Sequence, residues 1–397
     1  MSASESESLY ERWLKQRASS GLLRSLLDVV PGPAGRVTIA GRSYVNFSGN
    51  DYLGLTGHAE VKTRAAEWAE QYGGGAGASR LVTGNLQPFA AIEAKVAALK
   101  GRESALVMGS GFQANAAVLQ ALLDRTVLGA EPLVFADRLN HASMHFGCQA
   151  AGVRQVRYRH CDMDHLASLL QKNAAAGRPR FILTESVFSM DGDVAPMDTI
   201  MELARAHDAF VVCDDAHATG ILGAGGAGLS GQADLVIGTF SKAMGSYGAY
   251  IACAARVRDY LVNRCGGLIY STALPPAVLG AIDASLDLLP GLEDARAQVA
   301  ALAAGFRQGA QALGFDTGAS STQIVPLIVG DAEQALALSR SLADTGYWAT
   351  AIRPPTVPAG TARLRLAFSA AHARDDAEGL LDALASLRRT GVPAAQE

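Results

Sequence analysis

The sequence predicts an α/β protein with a mainly parallel central sheet covered by helices, on two observations. From about residue 85 to residue 285, short apolar runs alternate with helix-length segments, which is typical of βαβ units. Each run is largely apolar, as in strands that are buried on both faces. The predicted strands cover residues 105–108, 133–136, 181–184, 210–213, 236–240 and 249–253.

The segments on either side of this region predict two smaller parts. Residues 5–29 carry helical spacing that breaks at Pro31, and residues 37–39 and 44–47 flank Gly41 as the strands of a hairpin would. We therefore expect an N-terminal arm with a small hairpin, a large domain and a smaller α+β domain. Their predicted ranges are 1–48, 49–288 and 289–397; the last has helical patterns at 298–313, 332–345 and 375–387 and a strand at 324–329.

Composition and charge exclude several classes of protein. The 397 residues, of which 49% are hydrophobic, suffice for two or three domains with a sizeable core. A net charge of -4 gives no basic surface for nucleic acid, and residues 1–8 are polar and acidic, unlike a signal peptide. No apolar run approaches the ~20 residues that span a bilayer, so we expect no membrane segment. The scattered cysteines lack a CxxC pair, which favours reduced thiols in a cytoplasmic protein: Cys148, Cys161, Cys213, Cys253 and Cys265.

Lys242 lies in an unusual position for a lysine. The predicted strand before it leads into a stretch of small residues, which leaves room for a bulky group beside its amine. A desolvated lysine has a lowered pKa and reacts with carbonyl groups, as Schiff-base lysines do. Since most lysines are surface charges, a solvated Lys242 is the alternative on this stretch alone.

The residues that follow the predicted strands match the needs of a pyridoxal phosphate site. This cofactor takes a lysine for its aldehyde, an acid beside its ring nitrogen, a wall for its ring and a cradle for its phosphate. Lys242 supplies the amine, and Asp214 supplies a carboxylate that keeps the ring nitrogen protonated, unless it is only a helix N-cap. His217 can reach the phenolic oxygen and His141 can stack on the ring, although an isolated histidine is often just a satisfied polar group. The turn 110–113, where a strand runs into a helical pattern, suits the phosphate.

Three other motifs are set aside. Residues 223–228 satisfy GxGxxG, but the residues after them do not predict the helix that a dinucleotide site requires. His141 and His145 have the spacing of a metal pair, but no HExxH motif and no third ligand accompany them, so we expect no metal site. No GxSxG elbow occurs, so a serine hydrolase is not indicated.

Pieces of the chain, in order over nearly its whole length, carry a resemblance to a known family. They are NFSGNDYLGL (46–55), GSGFQAN (109–115), DRLNHAS (137–143), TESVFSMDGD (184–193), DDAHATG (214–220), TFSKAMG (239–245), LIYSTALPP (268–276) and AIRPPTVPAGTARLRL (351–366). These pieces resemble the α-oxoamine synthases, which are fold-type I pyridoxal phosphate-dependent transferases. The last piece points to the branch that uses L-alanine and a pimeloyl thioester. Asn140 and Ser186 depart from the usual Ser and Gly, at positions without an assigned role.

The resemblance implies a role for each candidate site residue. The implied catalytic residues are Lys242, His141, Asp214 and His217, with Lys242 bonded to the cofactor's aldehyde. The implied cofactor-binding residues are Gly111, Phe112, His141, Ser189, Asp214, His217, Thr239, Lys242 and Thr272. Ser271 or Thr272 would reach in from a second subunit, so the resemblance also implies a homodimer with shared active sites.

The implied substrate-binding residues are Arg24, Asn50, Arg353, Thr356 and Arg365. Arg365 resembles the arginine that binds the amino acid's carboxylate, a bidentate contact that lysine makes poorly. A surface ion pair is the weaker alternative, because Leu364 and Leu366 flank Arg365 with strand alternation. Arg24 and Arg353 are candidates for the distal end of the pimeloyl chain.

The implied reaction is a decarboxylative condensation of L-alanine with a pimeloyl thioester in biotin biosynthesis. The acyl carrier is coenzyme A or an acyl carrier protein. A sister synthase that uses glycine with acetyl-CoA, or serine with a long-chain acyl thioester, would keep the same cofactor residues. A non-catalytic cofactor-binding or dinucleotide-binding module is the remaining alternative, although it would not need Lys242, Asp214 and Arg365 together.

Overall fold

The computed structural model describes residues 3–174 and 177–389 of the chain. Two compact units are present: a small unit of Met1–Gly49, Met190–Gly192 and Val299–Glu397, and a large unit of Asn50–Ser189 and Asp193–Gln298. The segment predicted as a separate N-terminal arm is thus grouped with the C-terminal segment, and the large unit extends to residue 298 rather than 288. The ends of the predicted arm and of the predicted C-terminal domain, residues 1–2 and 390–397, lie outside the described residues.

The N-terminal segment begins with a helix that is shorter than its sequence pattern predicts. Helix α1 (Ala3–Ser19) ends because Gly21 takes a left-handed conformation, with φ 65°, and the Leu22 amide closes back on the Arg17 carbonyl at 2.8 Å. The helical spacing predicted up to residue 29 is therefore wrong beyond this cap. The chain instead forms β1 (Val29–Pro31), followed by the predicted hairpin of β2 (Arg36–Ile39) and β3 (Arg42–Asn46).

Seven strands of the large unit form one sheet. They are β4 (Ser104–Met108), β5 (Leu133–Asp137), β6 (Gln155–Tyr158), β7 (Arg180–Glu185), β8 (Ala209–Asp214), β9 (Leu235–Thr239) and β10 (Ala249–Cys253). Their order is β4-β10-β9-β8-β7-β5-β6, and β10 runs antiparallel to both of its neighbours while the other pairs are parallel. All six predicted strands are confirmed. Only β6 was not predicted, because this edge strand is not buried on both faces and lacks a continuous apolar run.

Helices of the large unit accompany this sheet. They are α2 (Ala59–Tyr72), α3 (Pro88–Lys100), α4 (Gly111–Leu122), α5 (Arg125–Leu128), α6 (Ala142–Ala150), α7 (Met163–Lys172), α8 (Met197–Ala206), α9 (Ala255–Arg264), α10 (Gly266–Ile269) and α11 (Pro276–Leu288). Helices α4 and α6 approach closely at Gly147, where a Cβ atom would lie 2.7 Å from Leu119 Cβ and 2.8 Å from the Asn115 carbonyl oxygen. This close contact brings the start of α6 near the side chains of α4.

Beyond residue 290 the chain alternates helices with short strands. These elements are α12 (Glu293–Ala312), β11 (Ile324–Gly330), α13 (Ala332–Asp344), β12 (Tyr347–Trp348), β13 (Ala351–Ile352), β14 (Ala362–Ala367) and α14 (Arg374–Arg389). Strand β12 joins the hairpin in a sheet of order β1-β2-β3-β12, and a second sheet has the order β11-β14-β13. The helices and the strand predicted for this segment are confirmed.

The structure also describes the length and hydrophobicity of the helices and the state of the cysteines. In the part of the chain that the structure describes, none of the helices is both long and apolar enough to cross a membrane. All five cysteines are free thiols. Burial raises the pKa of Cys148 and of Cys253 to about 11, so these thiols are protonated at neutral pH.

Candidate active site

The carboxyl ends of the parallel strands place the candidate residues at one edge of the sheet. Glu185 ends β7 and Asp214 ends β8, and the two are register partners. Thr239 ends β9, one strand further, and the turn that carries His141 follows β5. Such an edge is where open α/β sheets bind their ligands.

Lys242 lies in a hydrogen-bonded chain of side chains. Its Nζ is 2.7 Å from Nε2 of His217, and Nδ1 of His217 is 2.7 Å from the hydroxyl of Tyr52. The Tyr52 hydroxyl also donates to Oδ1 of Asn50, at 3.0 Å. Because His217 and Tyr52 are buried, this chain fixes where the Lys242 amine points.

Asp214 is held by several partners. Its Oδ2 accepts from Nδ2 of Asn115 at 2.6 Å, and its Oδ1 accepts from the Ala216 amide at 3.0 Å. The Asn115 amide also contacts the hydroxyl of Ser143, which in turn lies 2.7 Å from Nδ1 of His141. The structure therefore brings Asp214 and His141 together through two residues to which the sequence assigned no role.

His141 caps the N-terminus of α6, and its imidazole is neutral at pH 7. Partial loss of hydration lowers the pKa of His141. The negative charge of Asp214 raises this pKa and the positive charge of Lys242 lowers it, and the net shift is downward. Part of the residue remains exposed to solvent. A neutral ring is free to stack on a planar ligand without the cost of burying a charge.

Glu185 is a buried carboxyl beside Asp214. Burial, reinforced by the negative charge of Asp214, raises the pKa of Glu185 well above its ordinary value, although Lys242 and the His141 amide oppose the shift. Burial therefore favours the protonated form of Glu185, and a protonated carboxyl can donate a hydrogen bond that a carboxylate cannot.

The start of α4 forms a cradle for an anion. The Ser110 side chain caps the helix by accepting from the Gln113 amide, and the amides of Gly111 and Phe112 have no acceptor within the helix. A Cβ atom at Gly111 would lie in ordinary van der Waals contact with Thr239, 3.9 Å from its Cβ, so the two residues are close neighbours. The two predicted phosphate-binding segments thus face each other.

The remaining predicted residues of the large unit lie in loops. Ser189 is buried in the loop after β7. Thr272 is exposed and forms an isolated antiparallel bridge with Ser79, and the neighbouring Ser271 accepts from Nε2 of Gln113 at 2.6 Å. Ser271 is therefore tied to the start of α4 within its own chain.

The small unit brings together three of the four substrate-binding residues predicted there. Arg24 donates to the hydroxyl of Thr356 at 3.0 Å, and Arg353 donates to the carbonyl of Gly21. Burial, and then the positive charge of Arg24, lowers the pKa of Arg353. The fourth residue, Arg365, is buried within β14, as its flanking leucines predicted.

Possible metal ligands fall into two groups. Nδ1 of His141 contacts Ser143 while Nδ1 of His145 contacts Gln155, so the pair set aside in the sequence has separate partners. Among the residues described, Asp137, His160 and Cys161 place ligand atoms within 4.8 Å of one another. Both ring nitrogens of His160 already contact carboxylates, at 3.0 Å to Asp137 and 2.7 Å to Asp193. Burial lowers the pKa of His160, but the two carboxylates outweigh it and raise the pKa to about 12, so this group is an ion-pair cluster.

These features fit pyridoxal phosphate. The large unit offers a lysine amine, a buried carboxylate, an imidazole and an anion cradle at one sheet edge. Two buried polar atoms, Glu185 Oε1 and Asn115 Oδ1, have no hydrogen-bond partner among the described residues. Buried polar atoms are rarely left unsatisfied, so both are consistent with a bound polar group.

Sequence reasoning missed Tyr52, Asn115, Ser143 and the raised pKa of Glu185. The first three lie inside the quoted pieces 46–55, 109–115 and 137–143, but no spacing rule connects residues so far apart in the chain. The order of the strands, which brings β4, β5 and β8 into one sheet, makes Asn115 and Ser143 neighbours of Asp214.

Comparisons with known proteins give a consistent result. The sequence model of the family "Aminotransferase class I and II" matches residues 42–384 of the chain. The 8-amino-7-oxononanoate synthase of Gluconacetobacter diazotrophicus is 56% identical over 354 residues, which cover 88% of this chain and 89% of that protein. The 8-amino-7-oxononanoate synthase of Geobacter sulfurreducens is 46% identical over 382 residues, covering 94% and 96%.

Solved structures are similar over almost the whole chain. The serine palmitoyltransferase of Sphingomonas wittichii is 27% identical with a TM-score of 0.89, covering 98% of both chains. A structure described as SPT with the PLP internal aldimine is 26% identical with a TM-score of 0.90, covering 99% of this chain and 100% of the other. An 8-amino-7-oxononanoate synthase from Francisella tularensis shares the fold, with a TM-score of 0.75 at 24% identity, over 87% and 98%.

Proposed function

Because the chain belongs to the class I and II aminotransferase family and, within it, to the 8-amino-7-oxononanoate synthases, we propose that it condenses L-alanine with a pimeloyl thioester. The products are 8-amino-7-oxononanoate, carbon dioxide and the free carrier thiol, a step in biotin biosynthesis. The enzyme is a pyridoxal phosphate-dependent acyltransferase. The observation that carries the proposal is the placement of the Lys242 amine 2.7 Å from His217, at the sheet edge where Asp214 is buried.

Lys242 is the base in this proposal. When bound, pyridoxal phosphate supplies an aldehyde for an amino group and a ring that takes up an electron pair from Cα of the amino acid. The Lys242 amine removes the Cα proton of alanine and later returns a proton, and positioned general bases contribute about 10²–10⁴-fold. His217 orients this amine, since the Tyr52 hydroxyl fixes the imidazole from its other side.

Asp214 and His141 hold the cofactor's ring. The Asp214 carboxylate would keep a proton on the ring nitrogen, and Asn115 and the Ala216 amide hold that carboxylate in place. His141 would stack on the ring. Thr239 and the amides of Gly111 and Phe112 would hold the phosphate, and Ser189 would contact the cofactor.

Arginines of the small unit bind the substrates. Arg365 forms two parallel hydrogen bonds to the α-carboxylate of alanine. Arg24, which donates to Thr356, serves the pimeloyl end together with Thr356 and Arg353. Asn50 is also proposed to bind substrate.

We expect Arg365→Lys to weaken alanine binding by about 1.5 to 3 kcal/mol, the range for hydrogen bonds to charged groups. The substitution keeps the charge but loses the planar fork. The visible absorption of the bound cofactor should stay unchanged, because Arg365 binds the amino acid. Dissociation constants for alanine, measured from that absorption, check this expectation.

Arg353→Lys is the matched comparison. It should leave alanine binding unchanged and raise the KM for the pimeloyl thioester, because its proposed role lies at the other substrate. Normal alanine binding by Arg365→Lys together with weakened binding by Arg353→Lys would reverse the two assignments.

The assembly and setting follow the family. We propose a homodimer in which Thr272 reaches the partner's active site, acting in the cytoplasm on small molecules and not on nucleic acid or membranes. The acyl donor arrives either on coenzyme A or on an acyl carrier protein, which would then be a transient partner.

A sister activity is the second candidate. The likeness to serine palmitoyltransferase structures, with a TM-score of 0.90, favours it, since the same cofactor residues would serve serine and a long-chain acyl thioester. The discriminating experiment adds alanine, glycine or serine to the cofactor-loaded protein in the presence of a pimeloyl thioester. Our proposal expects alanine alone to produce the long-wavelength absorption of a deprotonated amino acid; the same response with glycine or serine, and none with alanine, would favour the sister activity.

A further inference from the structure

Lys100 and Asp215 form a buried ion pair to which no role has been assigned. Lys100, the last residue of α3, places Nζ 2.6 Å from Oδ2 of Asp215, and their side chains are only 1% and 0% exposed. Lys100 also donates to the hydroxyl of Thr219 at 2.8 Å and to the Ala227 carbonyl at 2.5 Å. Replacing buried ion pairs by apolar groups is often neutral or stabilising, so stability alone is a weak reason for this pair.

The two ends of one tight turn meet at this ammonium group. Asp215 and Thr219 lie on either side of His217, and the Asp215 carbonyl accepts from the amides of Ala218 at 3.2 Å and Thr219 at 2.9 Å. Lys100 contacts the side chains of both Asp215 and Thr219. The Lys100 ammonium therefore links the two ends of the turn 215–219. His217, in the middle of this turn, contacts Lys242.

Further contacts anchor the pair to the sheet. Oδ1 of Asp215 accepts from the Ser186 hydroxyl after β7 and from the Leu229 amide at 3.1 Å. The Thr219 hydroxyl lies 2.6 Å from that of Tyr250 in β10. Burial lowers the pKa of Lys100, but Asp215 and then Tyr250 outweigh it and raise the pKa to about 12, so the ammonium persists at neutral pH.

The glycine-rich loop that fits GxGxxG wraps around this ion pair. A Cβ atom at Gly228 would overlap Oδ2 of Asp215 and lie 2.8 Å from Nζ of Lys100, and φ at Gly228 is 86°. Gly223 likewise has a positive φ, and its Cβ would overlap the Gly228 carbonyl. These glycines thus allow the backbone to enclose the two charges, which accounts for a motif that has no dinucleotide to bind.

We propose that Lys100 and Asp215 form a positioning pair that holds the turn of His217, and through His217 sets the place of the Lys242 amine. The inference rests on the proposed roles of His217 and Lys242. Neither Lys100 nor Asp215 touches substrate or cofactor in this account. A displacement of about 1 Å in a catalytic group can cost about a hundredfold in rate, so a rigid turn at His217 matters for turnover.

The test compares three variants of the full-length, cofactor-loaded protein. The double variant Lys100→Met with Asp215→Asn removes both charges and leaves no unpaired buried ion, so it should still fold. Thr219→Val removes the hydroxyl that contacts Lys100 and Tyr250, at nearly constant volume. Asp283→Asn is the control: it weakens another buried ion-pair group, that of Arg64 and Lys95, on helices α2, α3 and α11.

Three readouts separate positioning from stability. They are the melting temperature, the imidazole NMR resonances of His217 identified with a His217→Gln variant, and kcat with KM for alanine. We expect the double variant to shift or broaden the His217 resonances and to lower kcat roughly tenfold to a hundredfold, with KM for alanine unchanged. Thr219→Val should change the His217 resonances and kcat in the same direction but by a smaller amount. Asp283→Asn should lower only the melting temperature.

The proposal is overturned if the folded double variant keeps the His217 resonances and kcat of the unaltered protein, or if Asp283→Asn changes both as much. If the double variant does not fold, Thr219→Val decides by the same criteria. The resonances are recorded without substrate, so this result stands whichever amino acid and acyl donor the enzyme uses.

Discussion

Lys242→Ala is expected to abolish turnover, with a loss of at least about 10³-fold in kcat. The substitution removes the amine that lies beside His217, and with it both the proposed attachment of the cofactor's aldehyde and the proposed base for the Cα proton. Borohydride reduction, which fixes a lysine-bound cofactor to the chain, should leave no covalent cofactor in this variant when the protein mass is measured. The fold should persist, because the lysine side chain is not part of the apolar core.

Lys95→Ala is the matched control for this loss. Lys95 pairs with Asp283 and Asp287, and none of the three is an assigned site residue. That variant should still gain the cofactor's mass on reduction and should keep its turnover. An active Lys242→Ala protein, or a reduced adduct found on another lysine, would contradict the assignment.

Asp214→Asn is expected to slow removal of the Cα proton about a hundredfold or more, which is the usual effect of losing one preorganised electrostatic partner of a transition state. Asparagine keeps the shape and can still accept from Asn115, but it lacks the charge that keeps the cofactor's ring nitrogen protonated. Burial raises the pKa of Glu185, so this neighbouring carboxyl is poorly suited to replace that charge. The exchange of the alanine Cα proton with deuterium, followed by NMR, isolates this step from the acyl transfer.

Asp234→Asn, the same exchange at another aspartate that contacts β8, provides the control. Asp234 precedes β9, and its Oδ2 accepts from the Val211 amide at 2.8 Å, away from the candidate site. Asp234→Asn should exchange the alanine proton at the rate of the unaltered protein. Near-normal exchange by Asp214→Asn would contradict the proposal that Asp214 keeps the cofactor's ring nitrogen protonated.

Most of the fold could be predicted because the buried strands have an unambiguous pattern. Strands such as β5 and β9 are buried along their whole length, and continuous apolar runs identify them. Edge strand β6 lacks such a run and was missed. The N-terminal helix was predicted too long because leucines continue at helical spacing beyond Gly21, where the backbone conformation ends the helix whatever follows.

The candidate site was predictable only where chemistry and local sequence coincide. Lys242, Asp214 and His217 each follow a predicted strand, so the strand ends placed them together. Tyr52 could not be linked to His217 from sequence, because 165 positions separate them. The Lys100–Asp215 pair was equally hidden, since a lysine that ends a helix usually predicts a solvated charge.

The most direct test of the proposed function is product identification for competing substrate pairs. The cofactor-loaded protein is incubated with L-alanine and a pimeloyl thioester, with glycine and acetyl-CoA, and with L-serine and a long-chain acyl-CoA, and products are measured by mass spectrometry together with carbon dioxide. The account predicts 8-amino-7-oxononanoate and equal amounts of carbon dioxide from the first pair, at a kcat/KM far above that of the other two. Turnover of the glycine or serine pair, with no product from alanine and the pimeloyl thioester, would contradict it.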